Sequence, residues 1–309
     1  KMIKGAMGFQ SLVKKWKDKL YDFGISLNER SKNNKIRRAT IQSLPFWIAS
    51  IIAGLLAVFY SEIFRLVESL HHKIDWLYNP WVFVFTPLAF VIAWFLIYRY
   101  SRAAAGSGIP QLMVAIDLSK DKKNNFLVDK ILSVRVIIVK ILSSTVLLFG
   151  GGAIGREGPT IQIAGSVFNS INNIIPTYWP KISHKLMLIS GGAAGLAAAF
   201  NTPLGGIVFA IEELGKSYLN SIRNHLFIAI IVAGITSKLL LGSYLYIGSA
   251  DVPEMHFVGF FYVILTAAVA GGLGYLFSKL IISFMRLRQK FNTFLKNMLW
   301  VLLVGFLFA

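Results

Sequence analysis

The chain has 309 residues, of which 55% are hydrophobic and only 15% are charged, and its net charge is +18. A soluble protein contains about 25% charged residues, so this composition excludes an ordinary soluble domain. The lack of cysteine excludes disulfides, thiolate metal sites and cysteine catalysis. A strong basic excess is also typical of nucleic-acid-binding proteins. Such proteins are seldom this apolar, and we expect no nucleic-acid partner.

Uncharged apolar runs recur along the chain, and a helix that crosses a bilayer needs about 20 such residues. We interpret Gly191-Gly192, Pro176, Asn201 and Pro203 as interruptions of two of these runs. Short, interrupted helices are typical of transporters with an ion site near the membrane midplane. The sequence therefore predicts an all-α, multi-pass integral membrane protein. The long runs are 40–61, 76–98, 158–180, 186–211 and 257–278, and shorter ones are 141–155, 226–237, 239–250 and 297–309.

The charged residues predict the orientation of the chain. Basic residues concentrate in 1–40, 120–140 and 286–296, whereas 70–79 and 243–256 are nearly neutral or acidic. The positive-inside rule then places the basic segments and the N-terminus in the cytoplasm. We expect residues 1–40 to form a basic cytoplasmic segment with an amphipathic helix. That helix lies on the inner membrane surface or packs on the protein's own cytoplasmic face.

The first candidate site is the pentapeptide Gly106-Ser107-Gly108-Ile109-Pro110, which precedes a predicted helix over 110–119. Proline suits a first helical turn, and serine is a good helix cap. Glycines let a ligand approach the backbone N–H groups. A helix N-terminus carries about half a positive charge and attracts anions. The motif therefore indicates either an anion site without a cationic side chain or an ordinary capped turn.

The second candidate is Gly155-Arg156-Glu157-Gly158-Pro159, which follows a glycine-rich run and opens a predicted helix from Pro159 to about Ile175. An ionisable side chain at membrane depth is costly and indicates a function. As a carboxylate, Glu157 would occupy the positive helix end and compete with an anion there. When protonated it would lose that attraction, so one group could gate anions and carry a proton. The alternative is local pairing with Arg156 or a capping role.

The third candidate is the stretch 191–214, rich in glycine and alanine, in which small residues allow close helix packing. Thr202-Pro203 predicts the start of a short helix that ends at Glu212-Glu213. Successive residues on a helix point about 100° apart. One glutamate can therefore face the protein interior and the other solvent, or both can be solvated boundary acids.

With these three motifs in this order and spacing, the sequence resembles the CLC family of chloride channels and proton/chloride antiporters. The resemblance covers roughly residues 40–309. It implies a CLC-type transmembrane domain at 41–309 with inverted-repeat architecture, the first repeat at about 41–242 and the second beginning at about 256–309. The GxFxP motif and pore tyrosine of the family's second half are absent from these residues, so we expect a fragment of a longer protein.

The resemblance also implies roles for individual residues. Ser107 would coordinate chloride, together with the backbone at Gly108, Ile109 and Gly158. Glu157 would be the external gating glutamate and Glu213 the internal proton-transfer group. Channels of the family generally have an apolar residue at the latter position, so Glu213 favours proton-coupled chloride antiport over a passive channel. The expected partners are chloride, protons, membrane lipid and a second copy of the chain in a homodimer.

Three other interpretations remain open at this point. A passive, voltage-gated chloride channel of the same fold would ignore a pH gradient. An intramembrane hydrolase using Ser107 as nucleophile would need a general base, and no apolar run carries a histidine in its middle. A structural or receptor protein would leave the acids beside glycine-rich breaks unexplained. We expect no enzyme activity, no cofactor and no metal site, since His71-His72 has no further ligands beside it in sequence.

Overall fold

The computed structural model describes residues 35–73, 80–176, 179–214, 223–242, 259–289, 291 and 293–309. Within these ranges the chain forms helices joined by turns and no strand, which confirms the all-α prediction. Residues 1–34 of the predicted amphipathic segment lie outside the described residues. So do most residues of the two nearly neutral or acidic stretches, 70–79 and 243–256. The α-helices are α1 (Lys35–His72), α2 (Val82–Tyr100), α3 (Ile109–Leu118), α4 (Asn125–Ile131), α5 (Val134–Phe149), α6 (Glu157–Ile174), α7 (His184–Phe200), α8 (Pro203–Phe209), α9 (Arg223–Leu241), α10 (Gly259–Gln289) and α11 (Phe294–Phe308).

Five helical segments in these ranges are long and apolar enough to cross a membrane: Ala39–His71, Val82–Tyr100, Lys122–Phe149, Asn224–Leu241 and Gly259–Gln289. The helices α3, α7 and α11 are apolar but shorter. Long and short apolar helices therefore both occur in the described ranges, which fits the predicted polytopic protein with interrupted helices.

The break between α7 and α8 is made by the residues that predicted it. Asn201 ends α7 in the left-handed conformation, with φ of 54°. Thr202 then caps α8, its Oγ1 accepting from Gly205 N at 3.3 Å, and Pro203 is the first helical residue. A side-chain cap satisfies one backbone donor that the new helix cannot satisfy itself. The predicted start of a short helix at Thr202-Pro203 is confirmed.

The prediction that Gly191-Gly192 interrupts a helix is wrong, because α7 runs through both residues. Their role is close packing. A β-carbon on Gly191 would lie 2.9 Å from Phe168 Cβ, and one on Gly192 would lie 2.8 Å from Leu214 Cδ1. Helices approach this closely only where side chains are missing, so the glycine pair sets the interhelical distance and leaves the helix intact.

One compact unit comprises the described residues within 1–64, 100–141 and 155–243. In its described part α7 packs against both α6 and α9. A continuous core of fully buried side chains includes Leu112, Ile161 and Leu188. The first turn of α3 and that of α6 both belong to this unit, so the two predicted anion-binding motifs are built on one core.

A polar network ties α4, α6 and α7 together inside the same unit. The buried Asn169 donates from Nδ2 to Asp129 Oδ1 at 2.8 Å and to Leu132 O at 2.7 Å. Its Oδ1 lies 2.7 Å from His184 Nε2, so that ring nitrogen is the donor. Asn173 donates to the same Asp129 oxygen at 2.6 Å. Asn169 is 1% exposed, so removing one of its partners would leave its polar atoms unpaired away from solvent.

The second compact unit comprises the described residues within 65–99, 142–154 and 244–309. Aromatic pairs join α2 to α11, with ring centroids 5.1 Å apart for Trp94–Phe294 and 5.5 Å for Phe90–Phe308. Gly305 lies so close to α2 that a β-carbon would come within 2.6 Å of Pro87 Cα. The 31 residues of α10, by contrast, include none that is buried.

Candidate functional site

Two glycines with positive φ shape the turn before α3. Gly106 has φ of 74° and Gly108, the N-cap of α3, has φ of 119°. A side chain would strain the backbone at both positions, which explains the glycines on either side of Ser107. The first helical hydrogen bond runs from Leu112 N to Gly108 O at 3.1 Å. The Ser107 side chain is exposed and makes no hydrogen bond with another described residue, so its hydroxyl can donate to a ligand.

The second motif forms the first turn of α6, which begins at Glu157, two residues before the predicted start at Pro159. Arg156 is the N-cap, Glu157 is the first helical residue, and the first intrahelical bond is Thr160 N to Arg156 O at 3.0 Å. The half-buried carboxylate of Glu157 folds back onto Gly155, where a β-carbon would collide with its Oε2. The Arg156 guanidinium donates to Ser61 Oγ on α1. The acidic side chain therefore lies at the positive end of α6.

The two motifs are in direct contact. A β-carbon on Gly108 would lie 2.5 Å from Gly158 O and 2.9 Å from Gln162 Cβ. A β-carbon on Gly158 would collide with Ser107 Oγ and would lie 2.8 Å from Ser107 O. Only glycine fits at either position. The N-termini of α3 and α6 therefore meet at Ser107 and Gly158, and their unpaired backbone donors and partial positive charges add at one place.

Gln162 and Lys140 hold the chain that leads into Ser107, and sequence reasoning assigned a role to neither. Gln162 is fully buried, and its Nε2 donates to Ala103 O at 2.9 Å. Lys140 is 2% exposed, and its Nζ donates to Ala104 O at 3.0 Å and to Gly106 O at 2.6 Å. These bonds occupy carbonyl oxygens close to Ser107. An anion beside Ser107 is therefore repelled less by these oxygens and is attracted by the nearby ammonium group of Lys140.

The sequence places Lys140 at the end of the basic segment 120–140, but the residue lies in the middle of α5. The signal that could have identified it is a single lysine in the middle of a mostly apolar helix. A buried charge is expensive and indicates a function. Gln162 carries no such signal, because a glutamine four residues after Gly158 looks like any polar helical residue.

Glu213 belongs to a different part of the unit from the contact between Ser107 and Gly158. Residues Ala210–Leu214 form a π-helical turn after α8, packed on α7 and α8. Glu212 is exposed and Glu213 is half-buried, between the buried Ala210 and Leu214. The two acids thus differ in environment, as one of the two sequence-based interpretations expects. Wide, irregular turns of this kind occur often at functional sites.

No group of three or more His, Asp or Glu residues that could hold a metal ion occurs in the described ranges. The Nδ1 atom of His71 lies 3.0 Å from Phe149 O, so the structure pairs this ring with the backbone of its own unit. The arrangement of the site is that of two helix N-termini with one hydroxyl, one carboxylate and a buried cation behind them. It suits a monovalent anion bound through hydrogen bonds.

Comparison with known families gives a match to the sequence model described as "Voltage gated chloride channel", over residues 88–309. Among curated proteins, the H(+)/Cl(-) exchange transporter ClcA of Vibrio cholerae is 33% identical over 259 residues. That alignment covers 79% of this chain and 52% of the relative. The chain therefore spans about half the length of the curated relatives it matches.

Two solved structures show the same fold at low sequence identity. A slow cyanobacterial Cl-/H+ antiporter superposes with a TM-score of 0.69 at 19% identity, covering 87% of this chain and 62% of that one. A eukaryotic CLC transporter superposes with a TM-score of 0.68 at 22% identity, covering 87% and 48%. At such identities the likeness concerns the fold alone.

Proposed function

The chain belongs to the voltage-gated chloride channel (CLC) family, as its motifs predicted, and from this premise we propose that the protein exchanges chloride for protons across a membrane. The observation that carries the proposal is the contact between the N-termini of α3 and α6, through Ser107 and Gly158. At family level the protein is an integral, multi-pass membrane transporter.

In the proposed anion site, chloride accepts hydrogen bonds from the Ser107 hydroxyl and from the backbone N–H groups of Gly108, Ile109 and Gly158. Pro110 and Pro159 lack an N–H, so the backbone donors of each first turn are those of the residues just before the proline. Chloride held by dipoles and one buried lysine, rather than by a direct ion pair, is bound weakly enough to leave. This balance is what a transport site requires.

Glu157 is the proposed gate, because it shares the helix end that an anion would use. As a carboxylate it interacts favourably with the N-terminus of α6 and competes with chloride. Protonation removes its charge and with it that competition. One protonation event then opens the site to chloride, which couples the two ions.

Glu213 is the proposed internal proton-transfer group, and its half-buried position beside the exposed Glu212 supports this role. A proton would pass from Glu213 to Glu157 through water. The curated relatives, of whose length this chain covers about half, carry the name H(+)/Cl(-) exchange transporter. That name favours exchange over a passive channel. We further propose a homodimer with one pathway per subunit and a cytoplasmic N-terminus.

The test is ion flux through the full-length protein in proteoliposomes, with chloride and proton movement recorded together. We expect Glu157→Gln to abolish proton movement and leave chloride movement. We expect Glu213→Gln to stop proton movement as well. Glu212→Gln is the matched control, because it makes the same change at the exposed neighbour and should leave both fluxes unaltered.

Three results would contradict the assignment. Unchanged proton movement in either Glu157→Gln or Glu213→Gln would remove that glutamate from the proton route. Loss of proton movement in Glu212→Gln alone would exchange the roles of the two acids in the π-helical turn. Chloride flux in the wild type without any proton movement would indicate a channel of the same fold.

A further inference from the structure

The first compact unit contains a cavity whose lining residues have no role in the proposed transport cycle. Its volume is about 630 Å³, and it is lined by residues 100–103, 129–131 and 133–135. Neither Ser107, Glu157 nor Gly158 contributes to its lining. It opens where α5 begins, at the polar end of a segment long and apolar enough to span a membrane.

The cavity is basic. Arg102, Lys130 and Arg135 contribute three positive charges to its lining, and Asp129 contributes one negative charge. The carboxylate of Asp129 is already engaged, since its Oδ1 accepts hydrogen bonds from Asn169 and Asn173 at 2.8 and 2.6 Å. Arg135 makes no hydrogen bond or ion pair with another described residue, so its guanidinium donors are open to a ligand. The remaining net positive charge attracts an anion.

The size of the cavity and the kind of its donors favour a phosphate group. A single halide would fill only a small part of about 630 Å³. Arginine forms two parallel hydrogen bonds with phosphate oxygens, and lysine serves as a point charge. Val134 and Arg135 lie in the first turn of the 16-residue helix α5, whose backbone donors and dipole add to the side chains.

The surface beside the cavity favours a lipid over a soluble phosphate. Val134 lines the cavity and is 57% exposed, and Ile138, one turn further along α5, is 54% exposed. Residues four apart lie on the same face of a helix, so an apolar track leads from the phosphate-sized cavity into the membrane-spanning part of α5. Basic pockets of this kind at the ends of membrane helices suit anionic lipid headgroups.

We propose that this cavity binds the phosphate of an anionic phospholipid, held by Arg102, Lys130 and Arg135, with an acyl chain along Val134 and Ile138. The lipid would connect the turn before Ala103, which Gln162 supports, to the N-terminus of α5. The proposal requires a membrane location and is independent of whether the protein exchanges ions or conducts them.

Native mass spectrometry of the full-length protein in detergent tests the site, with phosphatidylglycerol as the probe and zwitterionic phosphatidylcholine as its control. We expect the wild type to retain phosphatidylglycerol and Arg135→Gln to retain it about tenfold more weakly, which is about 1.4 kcal/mol. The matched control is Arg288→Gln, an exposed arginine on α10 outside the cavity, which should behave as the wild type. Asp129→Asn should strengthen binding, because it removes the opposing charge and keeps an oxygen that accepts from Asn169.

Equal retention of phosphatidylglycerol by the Arg135→Gln and Arg288→Gln variants would overturn the site. Equal retention of phosphatidylcholine and phosphatidylglycerol by the wild type would overturn the charge-based recognition. Added inorganic phosphate separates the two sources of the same chemistry. If it binds in an Arg135-dependent way while phosphatidylglycerol does not, the lipid assignment is wrong. Lys130→Gln, which removes one exposed side chain, provides a second variant should Arg135→Gln not fold.

Discussion

Substituting Gly158 by alanine tests the contact between the two helix ends with the smallest possible change. Gly158 does not have a positive φ, so its backbone can accept alanine without strain. The added β-carbon would collide with Ser107 Oγ and would lie 2.8 Å from Ser107 O. Side chains that are packed too tightly by one carbon typically cost about 1–3 kcal/mol. The turn that carries Ser107 would have to move.

Because the moved turn carries the proposed chloride donors, that cost should reduce chloride affinity. At 1.4 kcal/mol for each factor of ten, the expected loss is roughly five- to 150-fold. Isothermal titration of chloride into the purified protein measures it directly. The thermal transition of the same sample separates a binding defect from a folding defect.

Two glycine variants serve as controls for Gly158→Ala. Gly206→Ala creates comparable crowding, with its β-carbon 2.7 Å from Ala193 O, but between α7 and α8. It should lower stability and leave the chloride affinity of the folded protein unchanged. Gly272→Ala on α10 meets nothing within 4 Å and should alter neither property. If Gly158→Ala binds chloride as the wild type does, Ser107 and Gly158 do not form the anion site.

Three further variants test two supports of the site and one member of the polar network between α4, α6 and α7. Lys140→Met removes the ammonium group that donates to Ala104 O and Gly106 O, so isothermal titration should show about tenfold weaker chloride binding. Lys279→Met is the control and should bind chloride as the wild type does. Equal chloride affinities of the two variants would contradict the role of Lys140. Gln162→Leu leaves Ala103 O without its donor and should cost about 1–3 kcal/mol of stability in denaturant unfolding, and an unchanged midpoint would contradict this. Burial lowers the pKa of His184 below its ordinary 6.5, an effect that Asp129 opposes. As pH falls through about 6.5, the unfolded chain therefore gains the proton before the folded chain does, and stability declines until the folded-state pKa is reached. A melting-temperature profile against pH should show this decline in the wild type, and His184→Gln should flatten it. A profile that keeps the same slope in His184→Gln would contradict the role of this histidine.

The parts of the site that sequence predicted are those specified by local chemistry. Pro110 lies in the first turn of α3, and Thr202 and Pro203 fix the start of α8, because each residue acts on its own backbone. The N-cap of α3 is Gly108 and not the serine that the sequence favours. The helix at the second motif is predicted in the same way, although it begins at Glu157 and not at Pro159. Such signals are contained within a few residues, so reading the chain in order is sufficient to find them.

The parts that sequence did not predict depend on contacts between distant segments. The glycine pair Gly191-Gly192 was interpreted as a helix break, since composition alone cannot distinguish a break from a close helix contact. The clamp from Gln162 to Ala103 joins residues 59 positions apart, and the one from Lys140 to Gly106 joins residues 34 apart. The meeting of Ser107 with Gly158 is likewise a property of the folded unit.

The reversal potential of the full-length protein in a pH gradient, with equal chloride on both sides, tests the central claim most directly. A protein that exchanges chloride for protons, gated by Glu157, should show a reversal potential displaced from zero in the wild type. The displacement should vanish in Glu157→Gln while chloride current remains. A wild-type reversal potential of zero at every pH difference would contradict the claim of exchange and indicate a passive chloride conductance.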